Sequence, residues 1–109
     1  SIDKPGFEEF VIKPYIPAGL DSCKGTYQSV RGEVGSAWQK NRGKLALAVS
    51  IPGNSTATVY VPATRAGKLT VDGKPYSRHD QVVYRGQEGT YAVFTVPSGN
   101  YRFESVWKD

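Results

Sequence analysis

One histidine, one cysteine and no methionine stand in a chain of 109 residues. A zinc site built from Cys and His needs about four ligands, and these are too few. A lone thiol, Cys23, cannot make an internal disulfide framework. No uninterrupted apolar run approaches the roughly 20 residues of a membrane helix. No stretch of about eleven residues carries the apolar stripe of an amphipathic helix either. The missing initiator and the start at Ser1-Ile2-Asp3-Lys4 lead us to expect a chain processed or cut from something longer. The chain does not open on a basic and apolar leader, so any signal peptide is expected outside it.

What is present is a small globular composition: 12 Gly, 7 Pro, 13 aromatics, 22% charged and 39% hydrophobic residues. The length suits one domain. Fourteen Lys and Arg against ten Asp and Glu leave a net charge of +4. The charges are scattered, with acids interleaved. The densest knot, Lys40, Arg42 and Lys44, reads as a solvated hairpin turn rather than a nucleic-acid surface. Neither a nucleic acid nor a membrane is expected as a partner.

The apolar period is two almost everywhere. Leu45, Leu47, Val49 and Ile51 alternate with Lys44, Ala46, Ala48 and Ser50, as in a strand with one buried face. Ala57, Val59 and Val61 alternate with Thr56, Thr58 and Tyr60. Ala92, Phe94 and Val96 alternate with Tyr91, Val93 and Thr95, and Tyr101, Phe103 and Ser105 with Arg102, Glu104 and Val106. Phe10 with Ile12, and Val34 with Trp38, continue the habit, which places Trp38 in the core. Val, Ile and Thr together make 23 residues, an enrichment that favours pleated, half-buried surfaces. Turn residues cut the pattern at Asn41-Arg42-Gly43, Pro52-Gly53-Asn54, Asp72-Gly73, Gly86 to Gly89 and Pro97-Ser98-Gly99-Asn100. The expectation is an all-β chain folded as a two-sheet antiparallel β-sandwich of about eight or nine short strands. Lys4-Pro5-Gly6 is the only linker-like segment. Residues 1–6 are therefore expected to be a linker from an upstream domain, and residues 7–109 a single sandwich.

A search for chemistry finds little. Paired carboxylates must face each other across a substrate, but Glu8 and Glu9 are strand neighbours and point to opposite faces. Glu33, Asp72, Asp80, Glu88 and Glu104 fall near strand ends or turns, where solvated acids are ordinary. His79 and Asp80 diverge on an extended chain, and no Gly-x-Ser-x-Gly elbow supplies a nucleophile. Asn54-Ser55-Thr56 matches a glycosylation sequon and marks a turn. No catalytic, metal or cofactor-binding residue is expected. Sugars stack on exposed aromatic rings. The candidates for a sugar or interdomain contact are Tyr15, Tyr60 and Tyr84. Trp107, two residues from the end, is expected to be loosely held.

Three ordered pieces carry a family resemblance over residues 5–105. The first runs Pro5-Gly6-Phe7-Glu8-Glu9-Phe10-Val11-Ile12-Lys13-Pro14. The second is Gly32-Glu33-Val34-Gly35-Ser36-Ala37-Trp38 followed by the strand–turn–strand 45–62. The third is 96–105, from Val96-Pro97-Ser98 to Phe103-Glu104-Ser105. Together they resemble the C-terminal β-sandwich domain of bacterial α-L-rhamnosidases (glycoside hydrolase family 78); Leu69–Tyr84 shows no clear family pattern. The resemblance implies a parent enzyme that hydrolyses terminal α-L-rhamnose from glycosides or polysaccharides with inversion. Its acid and base would belong to an (α/α)6 helical barrel upstream, so none of those residues falls on this chain. The implied role is a non-catalytic accessory domain whose partner is the helical-barrel domain of the same polypeptide. Two alternatives stand beside it: a carbohydrate-binding module with its own sugar site, and a surface interaction domain. No cofactor is implied. A bacterial parent is implied, cytoplasmic or else periplasmic or secreted, since a single Cys fits either.

Overall fold

The computed structural model describes residues 8–16, 19, 22–29, 32–41, 43–63 and 69–107. Lys4-Pro5-Gly6, Arg42 and the side chain of Cys23 lie outside the described residues. The described chain is almost wholly strand: β1 (Glu8–Ile12), β2 (Ser22–Ser29), β3 (Gly32–Asn41), β4 (Lys44–Pro62), β5 (Thr70–Val71), β6 (Lys74–Pro75), β7 (Val83–Glu88) and β8 (Tyr91–Val106). Among the described residues the only helical piece is a 3-10 turn at Tyr76–Arg78.

Hydrogen bonding joins all eight strands into one mixed sheet, in the order β2-β3-β4-β8-β5-β6, with β1 on β4 and β7 on β8. The all-β expectation holds. Three details differ from it. β1 runs parallel to β4, from Glu8 beside Ser55 to Ile12 beside Val59, so the sheet is not wholly antiparallel. β4 spans 19 residues and β8 spans 16, so the strands are long rather than short. Pro52-Gly53-Asn54 is not a hairpin turn, because β4 continues through it and pairs with the same strand, β8, on both sides.

That last difference makes the architecture. Ile51 pairs with Gly99 and Thr56 with Pro97, so four residues of β4 oppose one residue of β8. A bulge of this kind bends both strands sharply. Asn54 takes φ 56° and Gly99 φ 139° at this corner. The bend folds the sheet over, and its two halves face each other as layers, with strands passing between layers at the corner. The first layer holds β2, β3, Lys44–Ile51 of β4, Gly99–Val106 of β8, β5 and β6. The second holds β1, Thr56–Pro62 of β4, Tyr91–Pro97 of β8 and β7. A sandwich results, its two layers cut from one sheet.

The alternating apolar residues fill the space between. Leu45, Leu47, Val49 and Phe103 from the first layer share one buried cluster with Ala57, Val59, Val61 and Phe94 from the second. Val34 and Trp38 join it, as their period implied. At the end away from the corner, the buried Ser105 hydroxyl donates to the Pro62 carbonyl at 2.6 Å and ties the layers together.

Segment 69–82 closes one side of this core. Asp72 (φ 52°) and Gly73 (φ 82°) make a two-residue turn between Val71 and Lys74, the positive-φ hairpin their types favour. Leu69, Val71 and Val82 are buried, and the Tyr76 ring lies 5.5 Å from that of Phe94. Gly86 is not a turn between strands: it sits inside β7 at a register shift with φ 125°. β2 was not legible in advance, since Ser22-Cys23-Lys24-Gly25-Thr26-Tyr27-Gln28-Ser29 lacks any aliphatic residue. Trp107 is held firmly rather than loosely. Its ring packs against the core, and its backbone N–H donates to Gly43 O at 2.9 Å.

Candidate functional site

Among the described residues, the one constellation that resembles catalytic machinery joins Asp72 to His79, not His79 to Asp80. The β5–β6 hairpin and the 3-10 turn bring His79 Nε2 within 3.0 Å of Asp72 Oδ2. The other ring nitrogen, Nδ1, accepts the Gln81 backbone N–H at 3.3 Å. A backbone N–H can only donate, so Nδ1 accepts and Nε2 carries the proton toward Asp72. Both nitrogens are then occupied, and neither is left to take a proton from a substrate. Asp72 Oδ1 meanwhile accepts the Arg102 backbone N–H at 2.9 Å, and the Asp72 N–H donates to Arg102 O at 2.8 Å. The group is a clasp between the hairpin and β8. Among the described residues, no cluster of His, Cys, Asp and Glu could hold a metal ion. No described helix is long and apolar enough to cross a membrane.

Within the basic knot, Lys40 and Lys44 stand on opposite registers, Lys40 across from Leu45 and Lys44 across from Asn41. Lys40 Nζ sits 5.9 Å from the Trp38 ring centre, on the inward-facing register of β3. Lys44 points away from the core, beside Gln39, Asn41, Ala46, Arg102 and Glu104 in a shallow depression of the first layer.

The tyrosine candidates divide. Tyr60 lies on the outward register of β4 and meets Tyr91 edge-on, with ring centres 5.9 Å apart. Lys13 Nζ stands 4.9 Å from the Tyr60 ring centre and 5.3 Å from that of Tyr91. Such cation–π contacts anchor the segment after β1. The Tyr91 hydroxyl adds a hydrogen bond to Pro14 O at 2.8 Å, which leaves Tyr15 standing out from the surface, 78% exposed. Burial pushes the Tyr91 phenol above its ordinary pKa, and the Tyr15 phenol adds to the rise. Tyr15 and Tyr60 thus share a face. Tyr84 does not: its ring packs 5.3 Å from Phe94 and 5.0 Å from Tyr76, at the rim of the core.

Sequence reasoning passed over the face that holds Tyr15 and Tyr60. Register pairs Val11 with Thr58, Thr58 with Thr95, and Thr95 with Val83, a row that crosses all four strands of the second layer. Val93, cross-strand from Tyr60, is buried but stands outside the core cluster. The signal was in the outward register, which reads Thr56, Thr58, Tyr60 and Tyr91, Val93, Thr95. The first layer's outward register instead includes Lys44, Ser50, Arg102 and Glu104.

Residues 1–75 match the family model described as the bacterial alpha-L-rhamnosidase C-terminal domain. The chain is similar to an alpha-L-rhamnosidase of Streptomyces avermitilis, 31% identical over 100 residues, covering 92% of this chain and 9% of that protein. It is also similar to an alpha-L-rhamnosidase of Formosa agariphila, 27% identical over 102 residues, covering 94% of this chain and 11% of the relative. Among solved structures, the Streptomyces avermitilis alpha-L-rhamnosidase complexed with L-rhamnose superposes with a TM-score of 0.74 at 31% identity, over 86% of this chain and 8% of that one. The alpha-L-rhamnosidase from Dictyoglumus thermophilum gives 0.69 at 26% identity, over 90% of this chain and 11% of the other. The chain therefore spans about a tenth of the length of the relatives it matches.

Proposed function

Because this chain belongs to the family of bacterial α-L-rhamnosidase C-terminal domains, we propose that it is a non-catalytic accessory domain that packs on the catalytic portion of a longer polypeptide. In this reading residues 1–6 are the joint and residues 7–109 the sandwich. The parent enzyme hydrolyses terminal α-L-rhamnose from glycosides or polysaccharides, with inversion, on an upstream (α/α)6 barrel. One observation carries the reading: nearly all of this chain aligns, yet it accounts for only 8–11% of each relative. The occupied nitrogens of His79 support it, since the most enzyme-like group of the described residues is already committed to structure.

The test is product release from an aryl α-L-rhamnoside by the purified chain. None is expected. Release that survives purification and vanishes on a single substitution in this chain would overturn the proposal.

The exposed Tyr15 and the half-buried Tyr60, flanked by Lys13 and Tyr91, favour a second reading, a module with its own sugar site. Calorimetric titration with rhamnose-containing oligosaccharides distinguishes it. Heat that saturates below millimolar ligand and is lost in Tyr60→Ala supports a sugar site; no heat dismisses it.

A further inference from the structure

The two outer faces of the sandwich differ in kind. The first layer's outward register carries Lys44, Ser50, Arg102 and Glu104, the residues of an ordinary wetted surface. Across the second layer runs the uncharged row Val11–Thr58–Thr95–Val83, with Tyr60 and Tyr15 beside it. Val11 is 67% exposed and Val83 47%. Every large, exposed hydrophobic among the described residues lies on this face or, in the case of Tyr84, at the edge strand that bounds it. Charged groups flank the row: Glu9 and Lys13 stand on either side of Val11, and Arg85 and Glu88 follow Val83 on β7. Arg85 Nε donates to Thr95 Oγ1 at 3.0 Å, which draws its aliphatic stem over the row. Exposed valines at both ends of an uncharged row, with threonines between them, set this face apart from the first layer's and fit a protein interface better than a fully solvated sheet.

We infer that this outer face of the second layer is the surface by which the domain docks on the preceding part of its own polypeptide. The inference rests on the accessory-domain reading above and adds which face is used. The occupant follows from chain geometry. The relatives carry about nine-tenths of their length outside the match, and the matching family model is a C-terminal domain. The preceding chain therefore reaches the sandwich through β1. That strand is the edge of the second layer, and Val11 on it is the first member of the row.

Hydroxyl-radical footprinting of the full-length polypeptide against this chain alone tests the assignment. Tyr15, Tyr60 and Val11 should label several-fold more slowly in the full-length protein, while Lys44 and Arg102 label equally in both. In the full-length Val11→Asp variant the protection of Tyr15 and Tyr60 should be lost, and Val83→Arg probes the opposite edge. Both positions are exposed, so unchanged melting of the variant chain alone confirms that the core is intact. No protection on any face would sink the packing reading itself. Protection of Lys44 and Arg102 instead would leave packing standing and overturn this face. Protection that grows with protein concentration makes a second copy the occupant, and protection seen only with added rhamnosyl oligosaccharide makes a sugar the occupant; either result overturns the inference.

Discussion

The rings of Phe94 and Phe103 lie 5.4 Å apart, although they stand nine positions apart along the same strand. At about 3.3 Å per residue an extended strand would hold them roughly 30 Å apart. The contact exists because β8 turns back at Pro97–Asn100, with β4 bending beside it. It is the meeting point of the two layers, and both rings are fully buried.

Phe103→Ala should therefore be severe. Truncating a fully buried Phe costs about 3–5 kcal/mol, against a total of about 5–15 kcal/mol for a typical domain. Phe94→Ala should cost a similar amount. The double variant should lose less than the sum, because each single change already empties the same contact. Urea midpoints of the four proteins read this directly; strict additivity would mean the layers do not depend on each other here.

The corner has its own tie. The Tyr101 hydroxyl lies 3.1 Å from Pro97 O, 3.3 Å from Ser98 O and 3.4 Å from Gln81 Oε1, and it has one proton to share among them. Tyr101→Phe should destabilise by about 1–2 kcal/mol. Gly99→Ala meets two obstacles: a φ of 139°, and a new Cβ 3.3 Å from that same hydroxyl. Adding Tyr101→Phe removes the second obstacle and leaves the first, so the double variant should not recover wild-type melting.

Alkaline pH should unfold the domain ahead of a typical tyrosine-containing one. Burial, then the nearby Asp72 carboxylate, raises the Tyr101 phenol above its ordinary value of 10.0, and burial with Tyr15 raises Tyr91. Below about pH 10 both phenols are neutral, folded or unfolded, and their contribution is fully present. Above it the unfolded chain ionises first, and stability drains away until the raised native values are passed. Melting temperatures from pH 8 to 12 should show this fall, with a shallower slope in Tyr91→Phe and Tyr101→Phe.

Asp72 combines a left-handed backbone with two accepted hydrogen bonds, from His79 Nε2 and the Arg102 N–H. Asp72→Ala should cost about 1–3 kcal/mol, by stranding a donor and placing alanine at positive φ. Asp72→Asn tolerates the same φ and keeps an acceptor for Arg102, so its loss should be the smaller. Amide exchange at Arg102 separates the cases: faster in the alanine variant, nearly unchanged in asparagine.

Much of this was written in the side-chain period. Leu45, Leu47, Val59, Val61, Phe94 and Phe103 all face inward as alternation requires, because a pleated strand leaves each side chain only two directions. Asp72-Gly73 likewise named its own turn, since those residues accept positive φ at little cost. Pro52-Gly53-Asn54 did not. The same residues that close a hairpin also make a bulge, and the choice depends on whether a partner strand stays alongside. β2 stayed hidden because Cys23, Gly25 and Tyr27 offer no aliphatic face; it is a strand only through its register with Gly35 to Gln39.

Function divides along the same line. The ordered pieces at 5–14, 32–62 and 96–105 sufficed to identify the family, and the sparse His, Cys and paired acids already spoke against chemistry. Which tyrosines share a face was a tertiary matter. Tyr60 and Tyr84 both alternate correctly on their strands, yet one turns outward to Tyr91 and Lys13 while the other turns to Phe94. Alternation tells two faces apart but not which one meets the core. That was decided only when β4 and β8 bent together, enclosing one face of each half and leaving the other to the outside.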